Sequence, residues 1–487
     1  MLFNSFEFLI FFPVVTILFF ALPHKFRWFL LLAASCVFYM YFIPIYILIL
    51  FGTIVIDYFA GIYLEDTIDP VKKKFYLMWS LVANIGVLAV FKYYNFFLEN
   101  INEASTFLID KPTALRYLGI ALPIGLSFHT FQAMSYTFEV YYGRQKAERH
   151  FGIYALYVMF YPQLVAGPIE RPQNILHQLH EKKYFDFDRL SKGLALMAWG
   201  LFKKVVIADN LSGLVNIAYT DPEDKTGVTL LLASYFFALQ IYCDFSGYSD
   251  IAIGAAKVMG FDLMENFRTP YLSQSIREFW SRWHISLSSW FRDYLYIPLG
   301  GNRVSKAKWM FNLFLVFLIS GIWHGANWTF VIWGALHGIY LMAAIVKDDL
   351  LERKGINLQQ SKSKLLQFAN VFITFHLATF AWIFFRAENV EDAFQVIRNI
   401  STITPNITSL NDAINFLAGD PKYHGRIIFL ILLSISFLLI DPILDKIAKG
   451  RITLLHPFLR YAVYSFVITG IILFGFFGEV SFIYFQF

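Results

Sequence analysis

The residue of this chain best suited to chemistry is a histidine set in an apolar run. His324 lies within Ser320-Gly-Ile-Trp-His-Gly-Ala-Asn-Trp328. An imidazole titrates at about 6.5 when unperturbed and lower when buried, so it can take and return a proton at neutral pH. Gly321, Gly325 and Ala326 lack bulk and let a backbone or a substrate approach closely. Asn327 puts an amide donor and acceptor beside the imidazole. Ionisable groups inside membrane segments are costly, which makes them the places to look for function. A plainer reading stays open, because a lone histidine in such a helix often only bonds a neighbouring carbonyl.

A second segment raises the case for function: Arg277-Glu-Phe-Trp-Ser-Arg-Trp-His-Ile-Ser-Leu-Ser-Ser-Trp-Phe-Arg-Asp-Tyr-Leu-Tyr-Ile-Pro-Leu-Gly-Gly301. It sets His284 among Arg282, Arg292 and Asp293. As a surface helix this would be an anchor with snorkelling arginines. As the lip of a cavity it would bring a second histidine near the first, with cations for an anionic donor. Asp244 and Asp250, in Asp244-Phe-Ser-Gly-Tyr-Ser-Asp250, fall on different faces of a helix and do not form a carboxylate pair. Pairing with arginine or backbone donors is the role expected for both. Glu170 and Arg171, closing Pro162-Gln-Leu-Val-Ala-Gly-Pro-Ile-Glu-Arg171, are expected to pair with each other at a loop edge. His177 and His180 stand one helical turn apart, but membrane di-iron enzymes need several such clusters, so no metal is expected. His129, His337 and His376 are read as packing. Cys36 and Cys243 each sit in an apolar run, as small hydrophobes do, and offer neither a disulfide framework nor a metal site.

The elements that must position these residues are membrane helices. Hydrophobic residues make up 57% of the 487 and charged residues only 15%, with a mean hydropathy of +0.54. A soluble domain is nearer a quarter charged, so lipid is the solvent for much of this surface. The net charge of +5 comes from scattered loops, which argues against nucleic acid as a partner. Apolar runs suited to crossing about 30 Å of hydrocarbon fall near Phe6–Leu22, Trp28–Phe42, Pro44–Leu64, Phe75–Phe97, Leu118–Tyr142 and Gly193–Tyr219. Six more fall near Val228–Met259, Trp309–Trp323, Trp328–Val346, Leu365–Phe385, Ile427–Ile440 and Tyr461–Phe477. The first run has no basic leader and no small-residue cleavage site, so it reads as a retained span.

Basic loops set the orientation. Lys25 and Arg27, then Lys72–Lys74, then Arg144, Lys146 and Arg149 are expected on the cytoplasmic side, and the acidic loop Asp221–Asp224 outside. Phe151–Val165 breaks the alternation and is read as a re-entrant helix. The stretch Asp262–Lys308 alternates Trp, Phe and Leu with Arg and Glu, as an amphipathic interfacial helix would. With no internal repeat and no Gly/Ser linker, residues 1–487 read as a single membrane domain of the all-α polytopic class.

Taken together, these motifs resemble the membrane-bound O-acyltransferase superfamily. Arg277–Gly301 is similar to its signature and Gly321-Ile-Trp-His-Gly325 to its catalytic-histidine motif. The nearest branch is that of the bacterial alginate O-acetylation proteins, with D-alanyl transfer and peptidoglycan acetylation proteins as relatives. The likeness extends through Pro162–Arg171, Asp244–Gly254 and the ending Ser481-Phe-Ile-Tyr-Phe-Gln-Phe487. It implies a ring of tilted helices, with re-entrant and interfacial helices, around a central tunnel. It gives His324 the place of the invariant histidine and His284 the second active-site position. His129 stands where this branch commonly has an aromatic, a departure that bears on the tunnel wall alone.

On that basis His324 is expected to act as general base and His284 to orient the acceptor or stabilise the oxyanion. Asn327 and Trp323 would flank them, and Arg282, Arg292 and Arg303 would hold the phosphates of the donor. The donor implied is a cytoplasmic acyl thioester, acetyl-CoA, used as substrate, with no bound cofactor and no metal. The acceptor would be an extracytoplasmic polysaccharide such as alginate, reached directly or through an SGNH-like relay partner, at a bacterial inner membrane. A transporter or flippase for a polysaccharide or lipid precursor explains the spans equally well, but it predicts inverted repeats with paired broken helices that the sequence does not show. A catalytically idle scaffold of a secretion complex is the remaining alternative.

Overall fold

The computed structural model describes residues 1–109, 116–355, 363–403, 407–418, 424–450, 457–478 and 482–483. Of the carboxy-terminal motif, Ser481 and residues 484–487 therefore lie outside the described residues. The fold is all-α, with no strand among the described residues. Among the described residues, seven helices are long and apolar enough to cross a membrane: Pro44–Asp66, Pro70–Leu108, Gly227–Met259, Lys306–His324, Trp328–Arg353, Lys364–Arg386 and His424–Ala448. Each of these coincides with an expected apolar run. Phe6–Ala21 and Phe458–Phe474 are apolar but shorter. The chain is a multi-pass membrane protein, and helices dominate because lipid leaves backbone groups no partner outside the segment.

Three expectations need correction. Leu118–Tyr142 was expected to be one span, but the helix begins only at Leu126 and nearly every side chain on it is buried. Phe151–Val165 is not a single re-entrant helix either: Phe151–Met159 ends at Phe160, and Tyr161–Leu164 restarts under Pro162. Proline at the start of the second piece lacks the N–H that a continuous helix would need. The stretch Asp262–Lys308 is no interfacial helix. It breaks into a 3-10 turn at Pro270–Leu272 and two short helices, Ile276–Arg282 and Ile285–Phe291, and its Trp280, Trp283, Trp290 and Phe279 are buried. Alternating Trp and Arg fit either a surface helix or an inward-packed one; burial of the rings decides for the second.

The chain divides into two compact units, Met1–Met197 with Ile251–Met264, and Ala198–Asp250 with Glu265–Phe487. In the first unit, Ile47–Asp66, Pro70–Leu88 and Leu126–Tyr141 enclose a polar column. Asp57 accepts from Ser80 Oγ (2.6 Å) and Asn84 Nδ2 (2.9 Å). One turn along, the Thr53 hydroxyl meets His129 Nε2 at 2.7 Å. The outer faces are apolar, with Leu9, Ile17 and Val82 exposed as lipid-facing residues are. At one end of this unit the basic loops gather. Arg149 pairs with Glu65 (2.7 Å) and Asp66 (2.6 Å), His180 with Glu148 (2.7 Å), and Arg27 donates to the Lys183 carbonyl (2.5 Å).

In the second unit, Lys306–His324 and Trp328–Arg353 form a helical hairpin. Glycine permits it: a Cβ on Gly321 would lie 2.3 Å from the Phe330 carbonyl oxygen, and one on Gly334 would lie 2.4 Å from that of Phe317. Small residues thus let the two backbones touch, the usual device for packing helices in lipid. Lys364–Arg386 brings Trp382 and Phe385 against the hairpin.

Candidate active site

His324 is the last residue of its helix, and the chain then turns through extended Gly325 into the second arm of the hairpin. The His324 side chain is buried, with its ring 5.0 Å from Trp323, 4.9 Å from Trp333 and 5.3 Å from Phe385. Gly325 makes room for this: a Cβ there would stand 2.1 Å from the Phe330 ring.

His284 stands at the bend between the two short helices, with φ 42° and ψ 57°. That left-handed conformation costs a side-chain-bearing residue about 1–2 kcal/mol. Strain of this kind persists only where the surroundings impose it, and it gathers at functional sites. Asn266 is what imposes it. Its carbonyl accepts from Ile285 N (2.9 Å), its Oδ1 from Ser286 N (3.2 Å), and its Nδ2 donates to Ser249 Oγ (3.3 Å). Arg268 N donating to the Arg282 carbonyl (2.9 Å) clamps the other side of the bend. Lys449 anchors the clamp by donating to the Phe267 carbonyl (2.8 Å) while pairing with Glu265 (2.8 Å) and Asp445 (2.7 Å). The His284 imidazole meets Phe245 edge-on at 4.5 Å and Phe267 face-on at 6.5 Å. Full burial pushes its pKa down to about 3, which favours the neutral imidazole.

An aromatic layer joins the two histidines. Phe267 packs on Trp283 (5.1 Å), Trp283 on Trp382 (5.0 Å), Trp382 on Trp333 (5.7 Å), and Trp333 on His324. His337 belongs to the same layer, 5.0 Å from Trp333, with Nδ1 accepting from Trp280 Nε1 (3.2 Å). The result is a packed apolar layer, in which a hydrogen bond or charge counts for more than in water.

The other expected residues fare differently. Trp323 is buried against His324, as its place in the motif suggests. Asn327 has another task. It caps the second arm, accepting from Thr329 N (2.9 Å) and donating to the Glu388 carbonyl (2.8 Å), so both ends of its amide are engaged. Arg282 pairs with Glu278 (2.5 Å) and exposed Arg292 with Asp293 (2.8 Å), while Arg303 is exposed. None of the three lies in the aromatic layer. Asp244 and Asp250 pair with lysines rather than arginine. Lys204 sits 2.8 Å from both Asp244 and Asp209, and Lys203 2.5 Å from Asp250, while Ile483 N donates to Asp244 Oδ2 (2.8 Å). Glu170 is not at a loop edge. It is wholly buried, accepts from Met264 N and Asn174, and its burial raises its pKa to about 7. His177 turns to the Gln173 carbonyl and His180 to Glu148. His376 is held between Tyr235 and the Phe372 carbonyl. Asn266 and the Lys203–Lys204 pair are additions of the structure, while His337 packs among tryptophans as expected. Two adjacent lysines inside an apolar run were the one visible signal among them.

A buried histidine at a helix corner and a second histidine at a strained bend, joined by packed aromatic rings, form the candidate site. Residues 142–386 match the model of the MBOAT, membrane-bound O-acyltransferase, family, and the chain belongs to that family. It is an O-acyltransferase. Over 417 residues it is 39% identical to the Pseudomonas aeruginosa protein named "Probable alginate O-acetylase AlgI", covering 85% of this chain and 77% of the relative. A Helicobacter pylori peptidoglycan O-acetyltransferase is 37% identical over 76% of this chain and 73% of its own length. The Bacillus subtilis teichoic acid D-alanyltransferase is 29% identical over 54% of this chain and 68% of its own.

Proposed function

We propose that this enzyme moves an acetyl group from cytoplasmic acetyl-CoA, a substrate rather than a resident cofactor, toward an extracytoplasmic polysaccharide such as alginate. It would do so in a bacterial inner membrane, directly or through an SGNH-like partner. The named relatives act on alginate and peptidoglycan, and their likeness over most of the chain supports a polymer acceptor. They favour this over the flippase reading.

In the reaction proposed, the acceptor hydroxyl oxygen attacks the thioester carbonyl carbon as the His324 imidazole takes the hydroxyl proton. His284, neutral, donates a hydrogen bond to the developing oxyanion. The tetrahedral intermediate collapses by breaking the C–S bond, and the departing thiolate takes its proton from the His324 imidazolium. Excluding water from the site would protect the thioester from hydrolysis. The observation that carries this reading is the aromatic layer that packs against His324 at one end and takes in Trp283, beside the strained His284, at the other.

The test is acetyl transfer to polymer in cells, measured beside protein level in the membrane fraction. His324→Ala should lower the rate by roughly 10²–10⁴, the usual worth of a general base. His284→Ala should cost less, and His284→Asn should recover part of that loss. The double variant should be little worse than His324→Ala alone, because groups acting as a unit are not additive. Normal transfer by well-expressed His324→Ala would remove the mechanism.

A further inference from the structure

The end of the first unit where the basic loops gather holds a cavity of about 210 Å³. His24, Lys25, Arg27, His150 and His180 line it, with Glu181 as the one acid. Arg27 is only 9% exposed. It donates to the carbonyls of Leu22 (3.0 Å), Lys183 (2.5 Å) and Phe20 (3.3 Å), and its guanidinium lies over the Phe19 ring at 4.9 Å. No carboxylate among the described residues pairs with it. Glu181 is taken by Lys183 (2.7 Å) and Glu148 by His180 (2.7 Å). Arginine keeps its charge in proteins, so a guanidinium buried against carbonyls and rings alone leaves a cation whose burial an anion would offset. His150 adds a donor: its Nδ1 accepts from Ile153 N (3.2 Å), which leaves the proton of the neutral ring on Nε2.

On the far side of the Phe19–Phe20 pair, whose rings are 5.1 Å apart, lies a groove of about 590 Å³. Phe8, Phe12, Phe20, Phe185, Leu194 and Val258 line it, and Thr16 is its only polar side chain. Phe20 and Phe185, 5.5 Å apart, stand at the end of the groove nearest Arg27. A basic cavity and an apolar groove on either side of one aromatic pair suit a ligand with an anionic head and a hydrocarbon tail.

We propose that the two form a single site for an anionic phospholipid, its phosphate in the Arg27 cavity and an acyl chain in the groove. The site is separate from the histidines and independent of the reaction assigned to them.

Native mass spectrometry of the purified protein in detergent tests this with three probes: dioleoylphosphatidylglycerol, dioleoylphosphatidylethanolamine and inorganic phosphate. The wild type should retain phosphatidylglycerol in preference to the other two. Lys25→Gln and Arg27→Gln should each weaken phosphatidylglycerol by roughly tenfold, the worth of a charge-assisted bond, and leave phosphatidylethanolamine unchanged. Arg27→Lys should retain most binding. Lys25 is exposed, so its variant reports on the site even if Arg27→Gln fails to fold. Leu194→Trp, which fills the groove, should weaken the lipid and not the phosphate. Phosphatidylglycerol retention unaffected by Lys25→Gln and by any folded Arg27→Gln protein overturns the proposal. So does inorganic phosphate displacing the lipid at equal concentration with Leu194→Trp inert, which would mark a free-phosphate site.

Discussion

Asn266 does for His284 what no motif reveals: with three hydrogen bonds it fixes the bend from which the imidazole projects. If His284 must stand in one place, loosening that bend should slow the chemistry without changing how the donor binds. Asn266→Ala is expected to lower kcat by roughly tenfold to a hundredfold with little change in the KM for acetyl-CoA, since small misplacements of catalytic groups are costly. Asn266→Asp keeps the acceptor for Ser286 N and should recover part of the loss. Unchanged kcat in the folded fraction of Asn266→Ala would reduce the residue to a structural part. Residue by residue, the sequence told unevenly. His324 and His284 were legible because imidazoles stand out among apolar and aromatic neighbours. Asn327 misled for the same reason, since an amide beside a histidine looks like a ligand until the helix start that it caps is seen. Asn266 gave no signal, because its role depends on partners far along the chain.

Helices were legible wherever long apolar runs demanded them, and illegible where one composition suits two packings. The π-helical segment Phe202–Ala208 is a case of the second kind. All seven of its residues are buried, including Lys203 and Lys204. Wide turns of this sort recur at functional sites. Here the turn carries two adjacent ammonium groups into the unit, where they meet Asp209, Asp244 and Asp250. Asp244 in turn precedes Phe245, the ring that meets His284, so the ion cluster supports the packing around that histidine. Removing one member should hurt more than the pair contributes, because it strands buried charge. Lys204→Met leaves Asp209 and Asp244 facing each other and is expected to cost about 3–5 kcal/mol of stability. Thermal unfolding in detergent would register the loss, and Lys204→Met with Asp244→Asn should recover part of it. A Lys204→Met protein as stable as wild type would show that the cluster holds nothing together.

At the scale of the whole molecule the open matter is which way the chain faces. Twelve runs were expected to span, and seven helices have the length and composition to do so, with two shorter apolar ones. The run Leu118–Tyr142 instead gave the buried helix Leu126–Tyr141, because hydropathy measures burial in protein and burial in lipid alike. A count of spans therefore does not fix the orientation, and the basic loops must. Their grouping has structural support: the loops bearing Lys25 and Arg27, Glu65 and Asp66, and Arg144 to Arg149 meet at one end of the first unit. Lys72 follows Asp66 by only a few residues and joins the same end. The positive-inside tendency then puts that end in the cytoplasm. Cysteine labelling in whole cells with a membrane-impermeant thiol reagent tests it, after Cys36→Ala and Cys243→Ala. Sites must be chosen by exposure. Lys449 is tied into an ion cluster with Glu265 and Asp445, and Arg149 to two carboxylates, so neither can report accessibility cleanly. Lys72, Lys146 and Glu223 are exposed. Lys72→Cys and Lys146→Cys should stay unlabelled until the cells are opened, whereas Glu223→Cys should react from outside. Labelling of Lys72→Cys and Lys146→Cys in intact cells would invert the chain. The donor would then have to reach the histidines from the opposite face, and the Arg27 cavity would meet the lipid of the outer leaflet.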